Sequence, residues 1–142
     1  MIDYVKLKQE IETDPSGLGY SGKPATIIAD LLNKPISGAQ ILIDAEIPTW
    51  KILDAIDPTE FDDLTSADKD TLKLILSMGT VNLSSKNIRN ILSKIFSNAT
   101  TTTANLQKIA YKTPTRAEQL FGYGTRVTHT DVVRALRLNT TA

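Results

Sequence analysis

The chain has 142 residues, 41% of them apolar and 23% charged, which are the proportions of a globular chain with its own hydrophobic core rather than of a disordered or fibrous one. It contains no cysteine, so a disulfide framework, a thiolate zinc site and a cysteine nucleophile are excluded. Sixteen basic residues balance sixteen acidic ones, but the balance is a cancellation: residues 1–71 sum to −8 and residues 72–142 to +8.

In chain order, the punctuation is that of short helices. Ile2, Val5 and Ile11 set the apolar stripe of a first helix over 2–13, which Asp14-Pro15-Ser16-Gly17 stops. Asp3, Lys6, Lys8, Glu10 and Glu12 interrupt that opening, so no secretory signal is expected there. Pro24 suits a first helical position ahead of Ile27, Ile28, Leu31 and Leu32, and Asn33-Lys34-Pro35 closes that segment. Residues 36–47 are the least helical, with Ile41-Leu42-Ile43 the candidate strand. Such apolar runs are far below the roughly 20 residues of a membrane helix, and no membrane partner is expected.

Trp50, Leu53 and Ile56 recur with helical spacing, and Asp57-Pro58 reads as a cap and first turn for a brief helix carrying Phe61. Thr65 to Asp68 resembles a capping box for a helix bearing Leu72, Leu74, Ile75 and Met78, with Gly79 as its left-handed stop. Ser84 is placed to cap a helix with Ile88, Ile91, Leu92 and Ile95. Thr100 to Thr103 reads as a loop ending in a cap for Leu106, Ile109 and Ala110. Thr113-Pro114 starts a helix running to Phe121 and stopped by Gly122, and Thr128 to Asp131 is a second capping-box start, for Val132, Val133 and Leu136. Residues 139–142 read as a frayed end. Capping by hydroxyls accounts for much of the eighteen-threonine content.

The expectation is an all-α fold: one domain, a compact bundle of about eight short helices, with at most one short extended segment near 40–43. The only boundary suggested sets an acidic subdomain at 1–35 against a helical remainder at 48–138. Trp50, Phe61, Phe96 and Phe121 are expected in the core, whereas Tyr20 and Tyr123, each beside glycines, are candidate surface anchors.

Gly17-Leu18-Gly19-Tyr20-Ser21-Gly22-Lys23 satisfies both G-x-G-x-x-G and the start of a phosphate-binding loop. Such loops need a strand before them and a hydroxyl after the lysine. Here a helical pattern precedes, and Pro24 offers neither hydroxyl nor N–H. Two glycine turns explain the match better, and no cofactor is expected. The acids Asp54, Asp57, Glu60, Asp62, Asp63, Asp68 and Asp70 lack the rhythm of a calcium loop. His129 is the only histidine, too little for a zinc site or a serine triad, and an enzyme is not expected. In the basic half, Asn82, Lys86, Asn87, Arg89, Asn90 and Lys94 form an inventory suited to phosphates and base edges. The connection before them, about five residues, is longer than a helix-turn-helix uses. A solvated helical hairpin is the plainer reading, and nucleic acid stays the second choice.

Asp14-Pro-Ser-Gly-Leu-Gly-Tyr20, Ala29-Asp30-Leu31-Leu32-Asn33, Ile47-Pro48-Thr49-Trp50, Leu76-Ser77-Met78-Gly79, Thr115-Arg116-Ala117-Glu118-Gln119-Leu120-Phe121-Gly122 and Val127 to Val132 follow one another along nearly the whole chain. In this combination the sequence resembles small proteins encoded by tailed bacteriophages. Where similar proteins often have serine at 115, Thr115 keeps the hydroxyl. The resemblance carries over no functional residue. It implies a phage gene product made in the host bacterial cytoplasm and destined for the virion, a head, neck or tail accessory component.

Together these readings point to a non-enzymatic structural or assembly protein whose partners are other virion proteins and copies of itself, an acidic face meeting a basic one. The alternative is a DNA-associated or regulatory protein using the basic half. The candidate interaction surface comprises Tyr20, Asp54, Glu60, Asp62, Asp63, Lys86, Arg89, Lys94, Arg116, Tyr123 and Arg126.

Overall fold

The computed structural model describes residues 1–138. Within them the chain is helix-rich, with nine helices and four two-residue strands: α1 Tyr4–Thr13, α2 Ala25–Leu32, β1 Ile41–Leu42, β2 Ile47–Pro48, α3 Thr49–Ala55, α4 Pro58–Asp62, α5 Ser66–Leu76, β3 Thr80–Val81, α6 Lys86–Ile95, α7 Thr100–Ala110, β4 Tyr111–Lys112, α8 Arg116–Phe121 and α9 His129–Leu136. The expected single extended segment is therefore joined by three further strands. The reading of 139–142 as frayed lies outside the described residues.

The chain divides into two units, and the second is inserted in the first. Unit 1 takes residues 1–39 and those from 113 onward; unit 2 is Gln40–Lys112. The sequence halves of −8 and +8 do not coincide with these units. Unit 1 holds eight basic and seven acidic residues and unit 2 eight basic and nine acidic, so each is nearly neutral. Separation survives inside unit 2, whose nine acids all precede residue 71, while only bases follow.

In unit 1, α9 packs against α1 and α2, and α8 against α2. Leu7, Tyr20, Ile28, Ala29, Leu32, Ala117, Val127, Val132 and Ala135 form its core. Asp3 caps α1 by accepting from the N–H groups of Val5 and Lys6. Pro24 is the N-cap of α2 rather than its first helical residue, so the helix starts one position later than expected. Asn33 works as a short substitute for a strand: its amide donates to the Val127 carbonyl at 2.6 Å and its oxygen accepts from the Val127 N–H at 2.9 Å. Of the two expected capping boxes, Thr128 with Asp131 forms in full, whereas at α5 Thr65 accepts from the Asp68 N–H without the return bond; a box that was not expected, Thr115 with Glu118, starts α8 at Arg116 rather than at Thr113-Pro114.

In unit 2, α3 packs against α5 and α7, and α5 against α6. The core runs from Ile47, Ile52 and Ile56 through Leu72, Ile75, Val81 and Leu83 to Leu92, Ile95, Phe96, Leu106 and Ala110. Two antiparallel pairs tie it: β1 with β4 (Ile41 opposite Lys112) and β2 with β3 (Pro48 opposite Thr80). The connection from α5 to α6 spans 77–85 and contains β3, longer than the expected five residues and unlike a helix-turn-helix. Gly79, at φ +82°, sits beyond the helix stop rather than on it, because Ser77 is the C-cap. Ser85, not Ser84, caps α6; Ser84 and Asn82 instead donate to Asp44, whose carboxyl is held below its usual range by the Asn82 amide first and the Ser84 hydroxyl second.

The threonine run corrects a further expectation. Thr100 to Thr103 are the first turn of α7, not a loop. Ala99, the residue at the N-cap, has no side chain for the task. Glu60 of α4 supplies the cap from elsewhere in the unit: its carboxylate accepts from the N–H of Thr101 at 3.1 Å and of Thr102 at 2.7 Å, and from the Thr102 hydroxyl at 2.7 Å. That hydroxyl in turn accepts from the Asp57 N–H at 3.0 Å. Sequence patterns could not show a cap donated by a helix forty residues away.

The Thr102 hydroxyl, ahead of the two backbone N–H groups, holds the Glu60 carboxyl below its usual range against the opposing effect of burial. A carboxyl depressed in the folded state adds stability that is complete above its unfolded pKa and is lost as pH falls through the folded one. Chemical denaturation across pH is expected to show wild type losing stability below about pH 4, with a shallower slope in Glu60→Gln.

Candidate functional site

Four large apolar side chains of unit 2 stand in solvent: Trp50 at 63% exposure, Leu53 at 58%, Leu74 at 69% and Met78 at 58%. For Trp50 the placement corrects the expectation that it belongs to the core. Pairing of β2 with β3 continues into α3, where the Thr49 N–H and hydroxyl reach the Gly79 carbonyl at 3.0 and 3.3 Å. This fixes Thr49, Ile52 and Ala55 as the inward face of α3, so Trp50 and Leu53 must point away from the core. On α5, Leu72 and Ile75 are buried, which leaves Leu74 on the outer side. Trp50 and Met78 immediately follow and precede the residues joined by the Thr49–Gly79 bond. Leu53 lies one helical turn further along α3, and Leu74 one turn back along α5 from Met78, which sits in the turn after that helix; all four are turned outward. Lys51 lies over the Trp50 ring at 5.8 Å, and Asp54 and Asp70 are exposed on the same two helices.

A second feature of unit 2 is a cleft of about 220 Å³ between α6 and α7. Leu92, Leu106 and Ala110 form its floor, and exposed Asn90, Ser93 and Gln107 stand at its rim. From Thr71 to Ala117 the sequence has no acid, so the helices flanking this cleft carry only Lys86, Arg89, Lys94 and Lys108 as charged residues.

The predicted surface residues divide by unit. In unit 2, Asp54, Asp62 and Asp63 are exposed, as are Lys86 and Lys94. Asp63 and Lys94 line one depression together with Glu60, the α7 cap. Arg89 is half-buried and turned to its own backbone, one guanidinium nitrogen donating to the carbonyls of Leu83 at 3.1 Å and Ser84 at 2.6 Å.

In unit 1, Tyr123 and Arg126 are exposed in the loop between α8 and α9. Tyr20 is not a surface anchor: it is 1% exposed, and its hydroxyl donates to Glu10 at 2.8 Å. Arg116 meets the same carboxylate with two donors, at 2.8 and 3.0 Å. Burial first, then the Glu10 hydrogen bond, pushes the Tyr20 phenol far above its ordinary value, so it stays a neutral donor. Glu10 joins two predicted residues and was itself missed; its signal is a carboxylate between Leu7 and Ile11 on the inward side of α1.

The glycine loop proves structural as well. Asp14, itself left-handed at φ 43°, accepts from the N–H of Leu18 at 2.8 Å and of Gly19 at 2.9 Å, the groups a phosphate would require. A helix, α1, precedes the loop. His129 is exposed in the first turn of α9, and no cluster of three metal-ligating side chains occurs among the described residues. No helix among them is long and apolar enough to cross a membrane.

No protein-family model, curated protein or solved structure matches the chain.

Two substitutions separate support from display. Arg116→Ala leaves the buried Glu10 carboxylate without its cation and is expected to cost about 3 kcal/mol in urea denaturation. Trp50→Ala removes a side chain that is already in water and is expected to change stability by no more than about 0.5 kcal/mol.

Proposed function

We propose that the chain is a non-enzymatic bacteriophage structural or assembly protein that acts by protein–protein contact in the virion, and that the α3–α5 face is the part that docks. The observation that carries this reading is the exposure of Trp50 and Leu53 on α3, Leu74 on α5 and Met78 in the turn after it. Exposing such groups gives up about 1.5–3 kcal/mol each relative to burial, and tryptophan and methionine are enriched where proteins meet. Other chemistry is thinly supplied: Glu10, Glu60, Glu118 and Asp131 are engaged in an ion pair and helix caps. The phage assignment rests on the run of motifs from Asp14 to Val132.

Binding of DNA through the basic helices is the second reading, supported by exposed Lys86, Asn87, Asn90 and Lys94 on α6. The inward turn of Arg89 weakens it, since one of the expected phosphate contacts already serves the backbone. A shift of labelled duplex that weakens with salt and disappears in Lys86→Ala with Lys94→Ala would favour it over the first.

Mass spectrometry of purified particles is expected to find the chain. Incorporation should fall by about tenfold or more in Trp50→Ala with Met78→Ser, while circular dichroism of the variant stays that of wild type. Wild-type levels of the variant in particles would sink the docking face.

A further inference from the structure

Among the described residues, Arg89 is the only charged one lining the cleft between α6 and α7. Its Nη1 donates to the carbonyls of Leu83 and Ser84, just ahead of α6, and these two bonds hold the guanidinium in place. Neither bond uses Nε or Nη2. Those two nitrogens form the side-on fork that grips a carboxylate with parallel hydrogen bonds. The chain uses the same fork in unit 1, where Nε and Nη2 of Arg116 hold Glu10 at 3.0 and 2.8 Å. A guanidinium fixed before its ligand arrives gives up little freedom on binding.

No carboxylate among the described residues lines the cleft to compete for that fork. Asp44 is bonded to Asn82 and Ser84, and Glu60, Asp63 and Asp68 line a separate depression with Lys94. Beside Arg89 the floor is apolar, made by Leu92, Leu106 and Ala110, with Asn90, Ser93 and Gln107 at the rim. An apolar cavity of about 150 Å³ holds benzene, so a cleft of about 220 Å³ takes a ring of that size with a short acid arm. It falls below the roughly 300–1,000 Å³ of sites for larger ligands, which limits the occupant to a small one.

We infer that the α6–α7 cleft is a binding site for a small monocarboxylic acid with one apolar group, aryl or branched alkyl. The carboxylate lies on Nε and Nη2 of Arg89, and the apolar group covers Leu92, Leu106 and Ala110. Neither Trp50 nor the other exposed apolar residues of α3 and α5 take part, so the site does not depend on the docking function.

Phenylacetate is the probe, and phenylacetamide is its neutral counterpart of the same size. Titrated into the nitrogen-labelled full chain near neutral pH, phenylacetate should shift the amide signals of Arg89, Ser93, Gln107 and Tyr111, with a Kd of about 1 mM or tighter. Phenylacetamide should bind about tenfold more weakly. Arg89→Gln removes the fork and should bring phenylacetate to the affinity of the amide, while the amide binds as before. That substitution also leaves two backbone carbonyls without their donor, so Ser93→Glu supplies a second reading from the exposed rim. Its carboxylate should weaken phenylacetate by about tenfold and phenylacetamide much less, and circular dichroism shows that each variant is folded. If Arg89→Gln does not fold, Ser93→Glu decides alone. No shift at the cleft up to about 10 mM phenylacetate, equal affinity for the acid and the amide, or wild-type affinity for phenylacetate in a folded variant would each overturn the inference.

Discussion

Glu10 lies 106 residues from Arg116 along the chain and 2.8 Å from it in the fold, with the Tyr20 hydroxyl on the same carboxylate. Unit 1 is built from both ends of the sequence, and this buried arrangement joins them: α1, the glycine loop and α8 all present a polar group to one point. A carboxylate 2% exposed would be prohibitive if left unpaired. Its three donors therefore demand that α1 and α8 meet in one register, where apolar packing by Leu7, Ile28 and Val132 would tolerate small slips. The glycine loop follows from that demand. Tyr20 must turn back to reach Glu10, and the Asp14 carboxylate, by collecting the N–H groups of Leu18 and Gly19, shapes the return.

Unit 2 uses the opposite device. Its charges stay near the surface, and polar side chains work at backbone ends: Glu60 starts α7, Asp57 starts α4, and Asp44 gathers Asn82 and Ser84. The consequence is a unit whose apolar groups are not all spent on the core. Short helices of seven and eleven residues pinned by paired strands cannot wrap every apolar side chain inward, and those left over stand exposed on α3, on α5 and in the turn after it.

Most helices were legible because their start signals are chemical and local. The box of Thr128 with Asp131 places α9, Asp57-Pro58 places α4, and Thr113-Pro114 comes within two residues of the true α8 cap at Thr115. What the sequence concealed depends on distant partners. Thr100 to Thr103 looked like a loop because its cap comes from Glu60. Trp50 looked buried because 50, 53 and 56 recur at helical spacing; the inward face of α3 is instead Thr49, Ile52 and Ala55, with the Thr49 N–H held by the Gly79 carbonyl. Glycine neighbours suggested the surface for Tyr20, and a buried carboxylate reversed it. Candidate surface residues fared by chemistry: those with a free choice, Asp54 and Lys86, stayed exposed, and those within reach of an unpaired backbone or carboxylate, Glu60, Arg89 and Arg116, were drawn into the architecture.

The pairing of Ile41 with Lys112 closes unit 2 at its own boundary, so everything that unit needs lies in one uninterrupted stretch of chain. Unit 1 has no such autonomy, since α1 and α2 precede the stretch and α8 and α9 follow it. On the ribosome this imposes an order. The first thirty-nine residues emerge with half a core and must wait, while residues 40–112 can close on themselves as soon as β4 appears. Only the segment that follows unit 2 supplies Arg116 to the buried carboxylate, so the core of unit 1 cannot close until α8 has been synthesised.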